Sequence, residues 1–161
     1  MQTVLIPIDG SKPCDAAVRR AIREARLGQV ERIHLVNVQP HLGAYVGRFV
    51  GTQAIRAFQR ELGERALAGA KRLLDEAGVP YVAHIYVGDV AATIAAAAKE
   101  LGATEIVMSA SGFGIPGSLA MNSLIGNVIR HTDVPVSVVK AAAGELDFEQ
   151  GASGWQLRPT H

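Results

Sequence analysis

Short apolar runs alternate along the chain with segments whose apolar residues recur every three or four positions. Val4–Ile8, Ile33–Val38, Tyr81–Val87, Ile106–Met108 and Val134–Val139 read as five strands. Asp9-Gly-Ser11 follows the first run, where Asp9 or Ser11 can cap a helix and Pro13 suits its first turn. Val18, Ala21, Ile22 and Ala25 form that helix's apolar stripe, and Arg19, Arg20, Arg23 and Arg26 fall on a solvated face before Gly28 ends it. A long helix is predicted from about Thr52 to Glu76. Its stripe is Ile55, Phe58, Leu62, Ala66, Leu67, Ala70, Leu73 and Leu74, Arg60–Glu64 and Glu61–Arg65 pair on the other side, and Gly78 and Pro80 stop it. Asp89 is placed to cap an alanine-rich helix from Val90 to Leu101, which Gly102 ends. Leu124, Ile125, Val128 and Ile129 make one face of a last helix that starts near Asn122 and Ser123. Pro135 has no N–H for a ladder, so the fifth strand belongs at a sheet edge.

Strands alternating with helices at these connection lengths predict an α/β fold: a five-stranded parallel sheet with helices on both faces. In such sheets ligands bind beyond the carboxyl ends of the strands, where strand order reverses. That rule puts Asp9, Val38 and the segment Ser109–Ser123 on one rim. Residues 141–161 mix Gly, Ser, Pro and charge without periodicity. They read as a loose extension, with Trp155 and Leu157 able to anchor it on a partner subunit or over a pocket.

The chain's 161 residues suit one domain with a single core. A net charge of +1 makes no electrostatic case for nucleic acid. The one cysteine, Cys14, excludes an internal disulfide and suits a reducing compartment. It reads as a small packed side chain in a first helical turn in preference to a redox group. His34, inside an apolar run, reads as a satisfied core or edge residue in preference to a ligand. Residues 106–129 carry no charge, but their four Gly, one Pro, four Ser and two Asn break the span into strand, loop and helix. With no basic segment ahead of the first strand, the expectation is a soluble cytoplasmic protein without a membrane span.

The segment Ser109-Ala-Ser-Gly112-Phe-Gly114-Ile-Pro116-Gly117 has the makings of an anion cradle between a strand and a helix. Backbone N–H groups and a helix N-terminus would meet an anion there, without a side-chain cation. There is no Gly-x-Ser-x-Gly elbow, metal-spaced His pair or pair of catalytic carboxylates. A binding module is therefore favoured over an enzyme, with slow hydrolysis of a bound phosphate at most and Asp9 the one candidate base.

Several of these pieces resemble the universal stress protein family. They are Ile6-Pro-Ile-Asp-Gly-Ser11 after the first strand, Val87-Gly-Asp89 before an Ala-rich helix, Glu105-Ile-Val-Met108 before the loop, and Val128-Ile-Arg-His131 leading to Val134-Pro-Val136. The resemblance spans residues 1–140 and leaves 141–161 as an extension. It implies an adenine-nucleotide-binding, Rossmann-like fold and a homodimer pairing the strand Val134–Val139 across a two-fold axis. It implies ATP or AMP as ligand, with Mg accompanying ATP. By the same resemblance Pro7, Ile8 and Asp9 line adenine and ribose, Val38 contacts the base, and Met108 stands on the adenine side. The family's phosphate loop, Gly-x2-Gly-x9-Gly-Ser/Thr, falls here on Ser109, Gly112, Asn122 and Ser123, with Phe113 inside it and Leu124 just after it. Two of its three glycines are replaced, and Asn122 is the non-glycine residue best suited to a left-handed conformation there. The alternative is a dimeric interaction protein whose nucleotide site has decayed; its protein partner is not readable from the chain.

Overall fold

A computed structural model describes residues 1–43, 48, 51–110, 118–140, 148–151 and 154–157; the side chains of 118–122 and 148–157 lie outside that description. Strands β1 (Gln2–Pro7), β2 (Val30–Gln39), β3 (Val82–Val87), β4 (Glu105–Ala110) and β5 (Val136–Lys140) form one sheet in the order β3-β2-β1-β4-β5. All four pairings are parallel. The helices are α1 (Cys14–Arg26), α2 (Thr52–Ala77), α3 (Val90–Glu100) and α4 (Ser118–His131). The chain winds outward from β1 through β2 to β3, then restarts at β4, so strand order reverses between β1 and β4.

Strand alternation splits the core into two layers. Val4, Ile6, Ile33, Leu35 and Val107 face Val18, Leu67 and Leu74 of α1 and α2. Leu5, Val36, Ile106 and Met108 face Ile94, Ala98, Ile125 and Val128 of α3 and α4. Both faces of the sheet are thus covered, which is why its central strands are apolar nearly throughout.

Several local expectations change. No side chain caps α1: Pro13 holds the N-cap position, and the Asp9 carboxylate turns to Ser11 instead. Arg20 leaves the solvated face to meet Glu24 at 2.7 Å and the buried Glu105 at 3.0 Å, where the Ser137 hydroxyl also donates. Glu105 is buried and needs those donors. On α2, Glu61 pairs with Arg65 as predicted, but Glu64 pairs with Lys71, two turns along the same face, and not with Arg60. The first half of α2 buries Gln59 and Gly63, leaving Phe58 and Leu62 exposed. Gly63 decides this, because a Cβ there would stand 2.8 Å from Ile85. β4 runs on to include Ser109 and Ala110, and α4 begins at Ser118, so Asn122 and Ser123 lie in its second turn. β5 begins after Pro135, whose carbonyl accepts from Ile106 N–H, and it lies at the sheet edge as predicted. Beyond residue 140 the extension carries an antiparallel pair, β6 (Phe148–Gly151) and β7 (Gly154–Leu157), which forms a separate two-stranded sheet.

His34 has a partner. Its Nδ1 stands 2.9 Å from His84 Nε2 on β3, and Tyr86 stacks on His84. Burial lowers the pKa of both imidazoles below 6.5; His84 and Arg32 add to this at His34, while Glu100 opposes it at His84. The unfolded chain therefore binds more protons than the native one once pH falls below about 6.5. Stability that is complete above that value drains away as pH drops toward the lowered native pKa values. Urea midpoints at about pH 7.5 and about pH 5.5 are expected to differ, and the difference to shrink in a His34→Gln/His84→Gln double variant.

Candidate functional site

The first strand delivers its chain end to the reversal point. Ile8 N–H donates to Val36 O at 2.8 Å, one residue beyond β1, and Asn37 Nδ2 donates to Ile8 O at 2.8 Å. Asn37 in turn accepts from Gln39 Nε2 at 2.8 Å. These bonds hold Pro7-Ile8-Asp9 against the end of β2. The chain then turns sharply at Gly10, whose φ is +87°. A Cβ at Gly10 would also stand 3.1 Å from the Ala66 backbone of α2. Gly10→Ala thus meets both a disfavoured backbone conformation and a close contact. It is expected to cost about 1–3 kcal/mol in urea unfolding.

Asp9 Oδ1 accepts from Ser11 N–H at 2.8 Å, from the Ser11 hydroxyl, and from the Cys14 thiol at 3.1 Å. None of those three donors meets Oδ2. Burial works to raise the Asp9 pKa, but the Ser11 and Cys14 donors outweigh it and bring it below 3.8. The group is a carboxylate at neutral pH. Cys14 shows the converse: burial first, then the Asp9 charge, push its thiol up to about 12. It stays protonated and serves as a donor, which rules against thiolate chemistry at neutral pH.

A shallow cleft of about 50 Å³ lies where these residues meet α3 and α4. Its lining includes Pro7, Ile8, Asp9 and Val38, with Leu124 from α4 and Val90 and Ile94 from α3. That volume is well below the about 300–1,000 Å³ of enclosed small-molecule clefts, so these residues form a shallow floor and wall and not an enclosure. Asp89 shapes the wall at Val90 by capping α3, its Oδ2 accepting from Ala92 N–H at 3.1 Å as the sequence predicts. The site thus has apolar walls and one carboxylate at the rim.

Five predicted site residues, Pro7, Ile8, Asp9, Val38 and Leu124, come together here. Met108 is buried in the same layer, packed in the cluster with Val36 and Ile94. Ser109 is turned to the other face, where its buried hydroxyl accepts from Ala17 N–H of α1 at 3.1 Å. Ser123 is exposed on α4. Asn122 lies within the helix, so the left-handed backbone expected of it does not occur. Gly112 and Phe113 fall outside the described residues. Sequence reasoning missed Asn37, Val90 and Ile94 as part of this site. A polar Asn inside an apolar strand was the visible signal for Asn37; Val90 and Ile94 look like ordinary helix residues.

With this geometry in place, comparisons with known proteins identify the chain. The model of the universal stress protein family matches residues 1–140. A universal stress protein of Methanocaldococcus jannaschii, MJ0531, is 30% identical over 139 residues, covering 85% of this chain and 81% of its own. The fold is similar to that of the universal stress protein from Archaeoglobus fulgidus in complex with dAMP, with a TM-score of 0.63, 21% identity, and coverage of 87% of this chain and 98% of that one. It is also similar to a universal stress protein family protein from Arabidopsis thaliana with AMP bound, with a TM-score of 0.63, 19% identity, and coverage of 91% and 95%. The match of the family model over residues 1–140 and the 30% identical relative show that this chain, with its five-stranded parallel sheet, belongs to the universal stress protein family.

Proposed function

We propose that this protein holds an adenine nucleotide, AMP or ATP, in the cleft at the carboxyl end of β1 and β2 and acts as a dimeric regulatory module in a stress response. The observation that carries the reading is the convergence of Pro7, Ile8, Asp9, Val38 and Leu124 on that cleft. Val38, Val90 and Ile94 supply apolar walls for a purine, and Asp9 Oδ2 is the acceptor for a ribose hydroxyl. The Archaeoglobus and Arabidopsis relatives hold dAMP and AMP, which agrees with the class of ligand. Met108 stays on the adenine side of this proposal, and Ser109, Gly112, Phe113, Asn122 and Ser123 on the phosphate side. Ser109 contributes there by bracing α1, since its oxygen is engaged with Ala17 N–H. No group of three or more His, Cys, Asp or Glu placed to hold a metal gathers among the described residues. In this proposal Mg enters with ATP, on its phosphates.

Dimerisation in this proposal uses the free edge of β5, the strand on which Val138 is exposed. No described helix is long and apolar enough to cross a membrane. The reading keeps the protein in the cytoplasm. Calorimetric titration of the purified protein with AMP and with ATP is expected to give saturable heat with at least one of them. No heat with either, and no nucleotide released on denaturing the protein, would leave the interaction-protein alternative in its place.

A further inference from the structure

The main sheet has two edges, β3 and β5. The dimer proposed above uses β5, and on that reading β3 is the edge left open. β3 reads Val82-Ala-His-Ile-Tyr-Val87, six residues with no Lys, no carboxylate and no Pro. Strand edges are commonly guarded by such residues, because an unguarded edge is a template for another strand. Beside this edge runs a groove against α2. Arg56, Arg60 and Lys71 line it over a floor that includes Leu67, Ile85 and Val87. Its one acidic residue, Glu64, is already bonded to Lys71 at 2.7 Å. The groove is therefore cationic over an apolar floor.

The same chain carries a segment of complementary chemistry. β6 and β7 form a sheet of only two strands. A two-stranded hairpin is marginal in water until it gains a third strand or a packed face. β6 and the residues before it read Glu145-Leu-Asp-Phe-Glu149, acid and apolar alternating with the two-residue period of a strand. Laid beside β3, such a strand turns its acids to one face, toward Arg56, Arg60 and Lys71, and its apolar residues to the other, toward Val82 and Tyr86. We infer that the β3 edge of one copy receives the C-terminal hairpin of a second copy, through β6.

Reach favours the second copy over the same one. A strand added outside β3 lies five strand spacings from β5, about 24 Å. The five residues from Lys140 to Glu145, where the alternating strand begins, span about 18 Å at full extension, short of that distance. Docking within one copy would therefore have to leave Glu145 and Asp147 out of the pairing and stretch the eight residues to Phe148, about 28 Å, nearly taut. Docking between copies carries no such constraint.

The test is amide hydrogen exchange of the full chain at two protein concentrations, compared with two charge-reversed variants. One variant is Glu145→Arg/Asp147→Arg/Glu149→Arg and the other is Arg56→Glu/Arg60→Glu. In the wild type, β3 amides are expected to exchange at least about tenfold more slowly at the higher concentration. That protection is expected to vanish in each variant alone and to return in an equal mixture of the two. Circular dichroism of each variant checks that the domain is folded. Concentration-independent protection would mean docking within one copy and would overturn the inference, as would unprotected β3 amides throughout. Amides of β5 report the proposed dimer separately, so failure of either pairing is read independently of the other.

Discussion

Asp9→Ala is expected to weaken AMP or ATP binding by at least about tenfold, measured by calorimetry. Hydrogen bonds to a charged group contribute about 1.5–3 kcal/mol, which converts to roughly 10–150-fold in affinity. The proposed acceptor for the nucleotide is Oδ2, because Ser11 and Cys14 already engage Oδ1. Those donors also orient the carboxylate, so the substitution removes both an acceptor and a brace. Ser11→Ala separates the two effects. It takes away one donor to Oδ1 but leaves the charge, the Cys14 thiol and the Ser11 N–H in place. Its effect on affinity is expected to be several-fold smaller than that of Asp9→Ala. Equal affinity in Asp9→Ala and wild type would remove Asp9 from the site. The carboxylate's lowered pKa keeps it charged well below neutrality. Binding through it is therefore expected to be flat through the pH range in which the histidine pair titrates.

Leu67→Ala is expected to lower stability by about 2–5 kcal/mol, read from urea unfolding. Leu67 is fully buried where α2 meets the sheet, in the cluster that holds Val4, Ile6, Leu35 and Leu74. Truncation removes apolar contacts and leaves a cavity that neighbours on two elements cannot collapse to fill. Phe58→Ala on the same helix is the informative contrast. Phe58 is the larger side chain and belongs to the same predicted stripe, yet 52% of it is exposed. Its truncation is expected to stay within about 0.5 kcal/mol, as for an ordinary surface position. A cost at Phe58 matching that at Leu67 would place the buried face of α2 incorrectly.

That contrast marks how far the pattern of residues carries. Every strand of the main sheet and each of α1 to α4 can be found from apolar periodicity, because burial on one face imposes period two or 3.6 on the chain. The edge position of β5 follows from Pro135, and the α3 cap from Asp89, because both act through the local backbone. Part of the cleft's rim was also legible: Asp9 and Val38 stand at strand ends, where a parallel sheet binds its ligands, while Pro7 and Ile8 came from the family resemblance. Periodicity cannot report rotation of a helix about its own axis by part of a turn. Gly63 meeting Ile85 sets that rotation for α2, and the two are 22 positions apart.

The sequence by itself determined the fold class, the order of the elements, the family and the strand end that carries Asp9, since each rests on local chemistry repeated at short spacing. Only the tertiary structure decided that Ser109 turns away to hold α1, that Arg20 serves Glu105, that His34 pairs with His84, and that Val90 and Ile94 complete the cleft. Each of those joins residues far apart along the chain. Their partners are selected by close packing of whole elements and by the cost of leaving a buried polar group unpaired, and neither leaves a mark in the local spacing of residues.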